Sequence, residues 1–418
     1  MERFVICGGR PLCGQVKTPA AKNAVLPVLA ASVLTEEKVV LQGVSDLTDI
    51  RDMCEMLRRL GGTALREGET LHLCCAGVED ERLPEELTKK IRSSIFLLGP
   101  MLARRRRATV TCPGGCEIGL RPIDLHLKGL GMLGVHICER GGALQCDGSD
   151  MRAGNVYLDY PSVGATENVM MAAVLLPGRT TLHNAAREPE IQDLARFLRA
   201  MGARVDGEGT QCIVIEGVER LQGTVYRPIP DRIWAGTLLC AAAITGGDIG
   251  CQGARAEDMV PIAAKLSEMG CRVTETEDAV ALRAEEPLRA LSDLQTQPHP
   301  GFPTDMQSQL MALCAVARGT SVITENVFEN RFGHAGDLNA MGAHIRISGR
   351  TAIVRGVGRL HGARVAARDL RGGAALVLAG LAAQGETLVE NVGLIDRGYC
   401  RLEETLRALG AEIYREHV

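Results

Sequence analysis

One pattern of hydrophobic and polar positions recurs six times along this chain of 418 residues. Each copy is an amphipathic helix that ends in Leu or Met, then a glycine, then a short strand of alternating polarity. The intervals between the six glycines are 73, 68, 68, 72 and 68 residues, so a repeat of about 70 residues fills the chain. The junctions are Leu60-Gly61, Leu133-Gly134, Met201-Gly202, Met269-Gly270, Met341-Gly342 and Leu409-Gly410.

The third copy shows which elements each repeat should contain. Apolar residues at i, i+3, i+4 and i+7 within 191–198 predict a helix with one buried stripe. Gly202 is predicted to end this helix, because glycine takes the left-handed conformation without steric cost. Two strands are predicted at 203–205 and 212–215. In the first copy the same reasoning makes Asp49 the N-cap of its helix.

Six copies predict either two domains of three repeats or one long solenoid. We favour two domains, because a solenoid needs polar capping ends that this sequence lacks. Two prolines at 226–231 mark the predicted boundary, and a second crossing of the chain is predicted near Pro19. The predicted domains are residues 21–229 and residues 1–20 with 230–418, each built from three βαβαββ-type units.

Composition excludes several classes of partner. The net charge is −4 and only 12 residues are aromatic, so neither a basic surface nor base-stacking side chains indicate nucleic acid. The apolar stretch at 4–7 is too short for a signal peptide or a membrane span, which predicts a cytoplasmic protein without membrane contact. The 15 cysteines lack zinc-ligand spacing, so we expect no metal and mostly buried, reduced thiols.

Cys116 lies in a segment, 112–119, that also holds one proline and three glycines. Such a segment predicts a loop that can close over a substrate. An ordinary thiol has a pKa of about 8.5 and can act as a general acid near neutral pH. A nearby guanidinium such as Arg121 would instead favour a nucleophilic thiolate. An incidental thiol on a surface turn is the third alternative.

Polar groups stand at the starts of three apolar helices. Lys22-Asn23 opens one, although a lysine there is unfavourable unless an anion shares the position; the alternative is a solvated lysine. Ser162 with Val163-Gly164 opens another, as either a phosphate cradle or a plain N-cap. Asp305 precedes the third, as either a general base or an N-cap.

Arginines occur in two further groups, of which only one is predicted to belong to a site. Arg331, Arg371 and Arg397 lie in polar or glycine-rich segments near the C-terminus, and their planar guanidinium suits carboxylate or phosphate oxygens. The run 104–107 contains four arginines and is predicted to be a solvated turn between a helix and a strand, without a role in a site.

Several motifs together resemble the UDP-N-acetylglucosamine 1-carboxyvinyltransferases, a family of enolpyruvyl transferases, over nearly the full length. The resemblance implies an α/β fold known as the inside-out α/β barrel, with two domains of three units and the active site in the cleft between them. The motifs are Ala21-Lys22-Asn23-Ala24, Pro113-Gly114-Gly115-Cys116, Arg121-Pro122-Ile123-Asp124, Ser162-Val163-Gly164-Ala165-Thr166, Asn184-Ala185-Ala186-Arg187-Glu188-Pro189-Glu190-Ile191, Pro303-Thr304-Asp305-Met306-Gln307, Phe328-Glu329-Asn330-Arg331-Phe332 and Asp396-Arg397-Gly398-Tyr399.

The resemblance implies transfer of the enolpyruvyl group from phosphoenolpyruvate to the 3-hydroxyl of UDP-N-acetylglucosamine, with release of phosphate. This reaction is the family's first committed step of peptidoglycan synthesis, and the family is the target of fosfomycin. Both substrates are small molecules, no cofactor is implied, and no protein partner is predicted. The implied catalytic residues are Cys116, Asp305, Lys22 and Arg397.

The resemblance also implies two sets of binding residues. Those for phosphoenolpyruvate are Lys22, Asn23, Arg121, Arg371 and Arg397. Those for UDP-N-acetylglucosamine are Asn23, Arg92, Arg121, Pro122, Ile123, Asp124, Leu125, Ser162, Val163, Gly164, Asp305 and Val327, with Arg331 and Asp369 in support.

Four departures from the family pattern leave one alternative open, and the fold that the family shares with another enzyme leaves a second. Pro19-Ala20 stands where Ser-Gly is usual, Trp234 replaces Glu, Gly333 replaces Met and Leu394 replaces His. The first alternative is a non-catalytic or regulatory paralogue that binds a UDP-sugar. The second is a 3-phosphoshikimate 1-carboxyvinyltransferase, against which the cysteine loop speaks.

Overall fold

The computed structural model of the protein describes residues 2–111, 123–285 and 287–417. The chain divides into two compact units. Among the described residues, the first unit holds 20–111 and 123–229, and the second holds 2–19 and 230–417. The divisions fall at Pro19 and at Pro230, within the two proline segments of the sequence.

Strands occur in every repeat, and the described residues contain 23 of them. In chain order they are β1 (Glu2–Cys7), β2 (Cys13–Lys17), β3 (Lys38–Leu41), β4 (Thr63–Glu67), β5 (Thr70–Cys74), β6 (Arg107–Thr111), β7 (His136–Arg140), β8 (Ala143–Asp147), β9 (Asn155–Tyr157), β10 (Arg179–His183), β11 (Arg204–Asp206), β12 (Cys212–Glu216), β13 (Val225–Tyr226), β14 (Asp248–Gln252), β15 (Arg272–Glu275), β16 (Ala279–Arg283), β17 (Leu294–Gln295), β18 (Thr320–Thr324), β19 (His344–Ser348), β20 (Thr351–Arg355), β21 (Arg364–Ala366), β22 (Glu386–Glu390) and β23 (Glu412–His417).

Helices alternate with these strands. In chain order they are α1 (Lys22–Ala31), α2 (Thr48–Arg59), α3 (Glu85–Thr88), α4 (Leu98–Arg105), α5 (Asp124–Met132), α6 (Val163–Ala173), α7 (Pro189–Ala200), α8 (Arg232–Thr245), α9 (Ala256–Glu268), α10 (Gln307–Val316), α11 (Ala335–Ala340), α12 (Leu370–Ala382) and α13 (Leu402–Ala408). Within the described ranges, no helix combines the length and the apolar character that crossing a bilayer requires.

Each unit contains three small sheets, and five of the six share one four-stranded design, whereas β6-β8-β7 has three strands among the described residues. In β9-β10-β12-β11 the edge strand β9 runs parallel to β10, and the other two pairs are antiparallel. The same order recurs in β17-β18-β20-β19. The intervening helices give the order βαβαββ for both repeats, as the sequence predicts.

Three sheets are completed by strands from distant parts of the chain, and in one of them β2 joins β14 of the second unit as the parallel edge strand. In the first unit, β13 joins β3 as the parallel edge strand, so the end of the third repeat completes the first. In the second unit, β1 lies between β22 and β23, antiparallel to both. The N-terminal strand therefore supplies the last strand of the sixth repeat.

All six junction glycines end their helices in the left-handed conformation. Their φ angles lie between +93° and +104°. Side chains rarely adopt this region, whereas glycine does so at no steric cost. The predicted helix ends are therefore confirmed. The glycines are Gly61, Gly134, Gly202, Gly270, Gly342 and Gly410.

Each unit buries one kind of helix at its centre. In the second unit, α8, α10 and α12 pack against one another, and nearly all of their residues are buried. A helix that is apolar on every side needs this surrounding. The second helix of each repeat, such as α7, is amphipathic and buries only one face, as predicted for 191–198.

One prediction for the surface is wrong in part. Arg104 is not a solvated residue, because its Nη1 donates to the carbonyl oxygens of Val33 at 3.0 Å and Cys75 at 2.7 Å. Its side chain is only 11% exposed. Arg106 ends α4 in the left-handed conformation. The run therefore ties α4 to its neighbours, while Arg105 and Arg107 are exposed.

Candidate active site

Lys22 is the first residue of α1, and its charge is met by Asp49. Its Nζ donates to Oδ2 of Asp49 at 2.9 Å, with the two side chains 11% and 5% exposed. Asp49 is therefore the anion that a lysine at this helix end requires, and the solvated alternative is wrong. The N-cap prediction for Asp49 is also wrong, because α2 begins at Thr48 without a side-chain cap. Asn23 is exposed on α1.

Several residues predicted to bind the UDP-sugar lie at element starts in the first unit. Arg92 opens a 3₁₀ helix, Arg92–Leu97, and is partly exposed. Ile123 precedes α5, and Asp124 and Leu125 are its first residues, of which Asp124 is exposed. The predicted residues Cys116, Arg121 and Pro122 lie outside the described residues.

Ser162 caps α6, as one of its two interpretations predicts. Its hydroxyl accepts from the backbone N of Ala165 at 3.4 Å. Val163 and Gly164 follow and are partly exposed. A Cβ at Gly164 would lie 2.8 Å from Cε1 of His126 on α5, too close for any larger residue without movement. Glycine thus permits the close packing of the start of α6 on α5.

Asn168 joins the segments that carry these candidate residues, and sequence reasoning missed it. Its Oδ1 accepts from the backbone N of Gly99 at 2.8 Å. Its Nδ2 lies 2.9 Å from the carbonyl oxygen of Ile95 and 2.7 Å from Nδ1 of His126. An amide nitrogen only donates, so Nδ1 of His126 accepts and the ring proton is on Nε2. A buried amide within the apolar helix α6 was the available signal.

Glu167 is the neighbouring buried residue, and its carboxyl is poorly satisfied. It is 1% exposed, and its Oε2 has no hydrogen-bond partner among the described residues. Burial, together with the carboxylates of Glu190 and Glu188, raises the pKa of Glu167 well above its usual value. The family motif at 184–191 thus contributes two acidic groups near this helix.

In the second unit, two arginines hold Asp305. Asp305 lies on a 3₁₀ helix, Thr304–Met306, and does not cap α10, so its N-cap interpretation is wrong. Its Oδ1 accepts from Nη2 of Arg331 at 2.7 Å, and its Oδ2 from Nη2 of Arg371 at 3.0 Å. The arginine side chains are only 3% and 4% exposed, whereas that of Asp305 is 25% exposed. The structure thus brings three predicted residues together around a reachable carboxylate.

Arg371 receives its orientation from α12 and from Tyr399. Asp369 caps α12, and its Oδ1 accepts from the backbone N of Arg371 at 2.9 Å. Nη1 of Arg371 donates to the Tyr399 hydroxyl at 3.2 Å. Burial alone would lower the pKa of Arg371, but Asp305, Tyr399 and Asp231 raise it above its usual value. Arg371 is therefore a permanent cation at this position.

Glu325 fixes the loops that carry Thr304 and Val327, and it too was missed. This buried carboxylate accepts through Oε1 from the Thr296 hydroxyl at 2.7 Å, the backbone N of Val327 at 2.8 Å and that of Phe328 at 3.1 Å. Its Oε2 accepts from the Thr304 hydroxyl at 2.9 Å. Thr304 directly precedes Asp305, so the side chain of Glu325 links the segment that carries Asp305 to the segment that carries Val327.

Arg397 lies in a loop that is held on each side. Before it, Asp396 accepts from Nη1 and Nη2 of Arg415 at 2.8 and 2.7 Å. After it, Tyr399 is fully buried. Arg397 itself is partly exposed. No group of three or more His, Cys, Asp or Glu residues suited to a metal occurs among the described residues.

Comparisons with known proteins agree with this fold. The family described as EPSP synthase (3-phosphoshikimate 1-carboxyvinyltransferase) matches residues 6–406. The structure of the enolpyruvyl transferase NikO from Streptomyces tendae is similar, with a TM-score of 0.90, 27% identity, and coverage of 100% of this chain and 99% of that one. EPSP synthase from Acinetobacter baumannii has a TM-score of 0.77 at 18% identity, with both chains fully covered. The predicted inside-out α/β barrel is confirmed.

Curated relatives are more similar to this chain in sequence than these solved structures are, and three of them share one name. UDP-N-acetylglucosamine 1-carboxyvinyltransferase 2 of Carboxydothermus hydrogenoformans is 51% identical over 99% of both chains. UDP-N-acetylglucosamine 1-carboxyvinyltransferase of Myxococcus xanthus is 49% identical over 100% of both. The enzyme numbered 2 of Caldanaerobacter subterraneus subsp. tengcongensis is 47% identical over 99% of this chain and 100% of its own. Such identity over full length shows that the chain belongs to the UDP-N-acetylglucosamine 1-carboxyvinyltransferases, within the enolpyruvyl transferase family.

Proposed function

We propose that this protein transfers the enolpyruvyl group of phosphoenolpyruvate to the 3-hydroxyl of UDP-N-acetylglucosamine and releases phosphate, the first committed step of peptidoglycan synthesis. The observation that carries this proposal is the identity of 47–51% over the full chain with relatives of that name. The sequence retains every residue to which the family resemblance assigns a chemical role, including Lys22, Cys116, Asp305 and Arg397.

In the proposed reaction, the sugar oxygen bonds to C2 of phosphoenolpyruvate while the methylene carbon takes up a proton. Cys116 supplies that proton as a general acid, and Asp305 receives the proton of the sugar hydroxyl. The Cys116 thiolate then takes a proton back from the methyl group as the C–O bond to phosphate breaks, which restores the double bond. The proton held by Asp305 passes to the departing phosphate. Atoms and charges balance, because both residues return to their starting protonation states and the proton of the sugar hydroxyl leaves with the phosphate.

The described residues support the role of Asp305 in particular. Its carboxylate is partly exposed, and two buried guanidiniums hold it in one orientation. Fixed opposite charges favour the carboxylate over the carboxylic acid, so a base is present at neutral pH. Pre-oriented charges also avoid the cost of reorganisation when the bond forms.

Inorganic phosphate measured with both substrates tests the proposal. We expect release only when phosphoenolpyruvate and UDP-N-acetylglucosamine are both present. Cys116→Ala should reduce turnover by about 10²–10⁴-fold if the thiol is the general acid. Cys138→Ala, which changes an exposed thiol on β7, is the matched control and should leave turnover unchanged. Equal turnover in wild type and Cys116→Ala would contradict the acid assignment.

We also propose that fosfomycin inactivates the enzyme at Cys116. The thiolate sulfur attacks an epoxide carbon, the C–O bond of the ring opens, and the alkoxide takes up a proton. The mass of the protein therefore increases by one whole inhibitor. Mass spectrometry should locate the adduct on Cys116 and not on Cys138; an unmodified Cys116 after incubation would refute an accessible thiol.

Two alternatives have specific observations in their favour. The matching family is described as EPSP synthase, so shikimate 3-phosphate must be tested as an acceptor. Caldanaerobacter subterraneus has two numbered relatives, so a second, non-catalytic copy is the other alternative. UDP-N-acetylglucosamine binding by calorimetry without phosphate release would support the non-catalytic copy.

A further inference from the structure

The hydroxyl of Tyr399 joins the three central helices of the second unit. It lies 2.8 Å from Oγ1 of Thr237 on α8, 3.3 Å from Nε2 of Gln309 on α10 and 3.2 Å from Nη1 of Arg371 on α12. Each of these helices belongs to a different repeat. Because Tyr399 is fully buried, it can influence a substrate only through its neighbours.

The direction of each hydrogen bond follows from counting protons. A phenol has one proton to donate and two lone pairs that accept. Nη1 of Arg371 and Nε2 of Gln309 can only donate, so they occupy the accepting positions of Tyr399. The Thr237 hydroxyl donates to the carbonyl oxygen of Ile233 at 2.8 Å, which leaves its oxygen to accept from Tyr399. The Tyr399 hydroxyl is therefore fully used.

This arrangement fixes the guanidinium of Arg371 at both of its ends. Nη1 donates to Tyr399 at 3.2 Å, and Nη2 donates to Oδ2 of Asp305 at 3.0 Å. The guanidinium carbon also lies 5.5 Å from the centre of the Tyr399 ring. A planar group held at two ends cannot turn about its long axis. Removal of the phenol oxygen would free one end and loosen the contact with Asp305.

We propose that Tyr399 is a positioning residue for the transfer reaction, acting through Arg371 to keep Asp305 oriented and ionised. The inference rests on the proposed function, in which Asp305 accepts the proton of the sugar hydroxyl. Arg331 holds the other carboxylate oxygen, so loss of the Tyr399 hydroxyl weakens the site without dismantling it. The family resemblance assigns no role to Tyr399, although Tyr399 follows Arg397 closely in the motif Asp396–Tyr399.

Charged groups around the site define the expected pH effect. Arg331 and Arg371 face Asp305, while Asp231 at the start of α8 also acts on Arg371. Beyond them, Asp369 and Asp337 lie near the neutral, buried His334, which itself borders Arg331. A loosened Arg371 favours the carboxylate of Asp305 less, so a higher pH is needed to ionise it. The acid limb of the turnover profile should then move upward.

Tyr399→Phe tests the proposal, with Thr237→Val as its matched control. Both variants remove one hydroxyl from the same buried network, and the control leaves the bond between Arg371 and Tyr399 in place. For Tyr399→Phe we expect the acid limb of the kcat profile to move up by about one pH unit. Turnover at neutral pH should fall by about tenfold, because Asp305 is then held less firmly in position to accept the proton. Thr237→Val should lose a similar amount of thermal stability, but the acid limb of its kcat profile should stay at the wild-type pH.

The pH profiles of the variants decide whether Tyr399 positions Asp305. A Tyr399→Phe profile that superimposes on the wild type overturns the positioning role, and so does an equal shift in Thr237→Val. A wild-type protein that releases no phosphate refutes the proposed function, and this inference with it. If Tyr399→Phe does not fold, 3-fluorotyrosine is incorporated instead, which weakens the phenol oxygen as an acceptor without removing it. A shift of the acid limb to higher pH in the fluorinated protein supports the positioning role of Tyr399, and an acid limb at the wild-type pH overturns it.

Discussion

Asp193 is predicted to destabilise the first unit at neutral pH, although it makes a good hydrogen bond. It lies on α7, is 1% exposed, and accepts from the Tyr226 hydroxyl on β13 at 2.7 Å. Burial raises the pKa of Asp193 to about 6, in spite of the opposing hydrogen bonds from Tyr226 and the backbone of Ile229 and the charge of Arg196. The Tyr226 ring also packs edge-on against Phe197, with 5.2 Å between centroids. The contact thus joins β13, the edge strand beside β3, to α7.

The magnitude follows from the difference between the folded and unfolded pKa values. An unfolded aspartate has a pKa of about 3.9, and each unit of difference corresponds to about 1.4 kcal/mol. With a folded value of about 6, the ionisation of Asp193 costs about 3 kcal/mol of stability above that pH. Its stability contribution is fully present below the unfolded value and is lost as pH rises through the folded value.

Asp193→Asn removes the charge and keeps an oxygen that accepts from Tyr226. We expect the variant to match the wild type near pH 4 and to be more stable by about 2–3 kcal/mol at pH 8. Urea unfolding followed by far-UV circular dichroism at several pH values measures this difference. Asp206→Asn on β11 is the control, because that carboxylate is exposed in the same unit. A gain of equal size at pH 4 and pH 8, or no gain at pH 8, would refute the reasoning.

Two further predictions concern buried carboxylates with opposite environments. Glu167→Gln should stabilise the first unit increasingly above about pH 4.3, by up to about 1.4 kcal/mol per pH unit, because burial raises the pKa of Glu167. Urea unfolding at pH 5 and pH 8 measures this gain in stability. A gain that is the same at both pH values contradicts the prediction. Glu325→Leu should lower the stability of the second unit by more than about 3 kcal/mol, because four donors lose their acceptor. Glu325→Gln keeps three of those bonds and should lose about 1–2 kcal/mol. The fluorescence of Trp234, the single tryptophan, reports this unit, and equal losses for the two variants would contradict the hydrogen-bond account.

Local features were predictable from the sequence because their causes are local. The six helix ends follow from glycine's access to positive φ, and the buried stripe of α7 follows from its 3.6-residue period. The strands at 203–205 and 212–215 are present as Arg204–Asp206 and Cys212–Glu216. For Ser162, the capping interpretation needs only the next three residues.

The contacts within the site were not predictable, because their partners are distant in sequence. Asp49 has the residue type and place of an N-cap, but Lys22 lies 27 positions away and pairs with it. Asp305 likewise takes partners 26 and 66 positions away. No local pattern distinguishes Glu325 from a surface glutamate at the end of a strand. Only the tertiary fold shows that four donors converge on it.

The placement of β1 between β22 and β23 affects how the protein is made in the cell. The first strand emerges from the ribosome long before its partners at 386–390 and 412–417 exist. At about 5–20 residues per second, it waits roughly 20–80 s for them. The first unit can complete its sheets once residue 226 is available. Translation therefore supplies all strands of the first unit before the last strands of the second. If translation stops early, the second unit lacks the strands β22 and β23 that pair with β1.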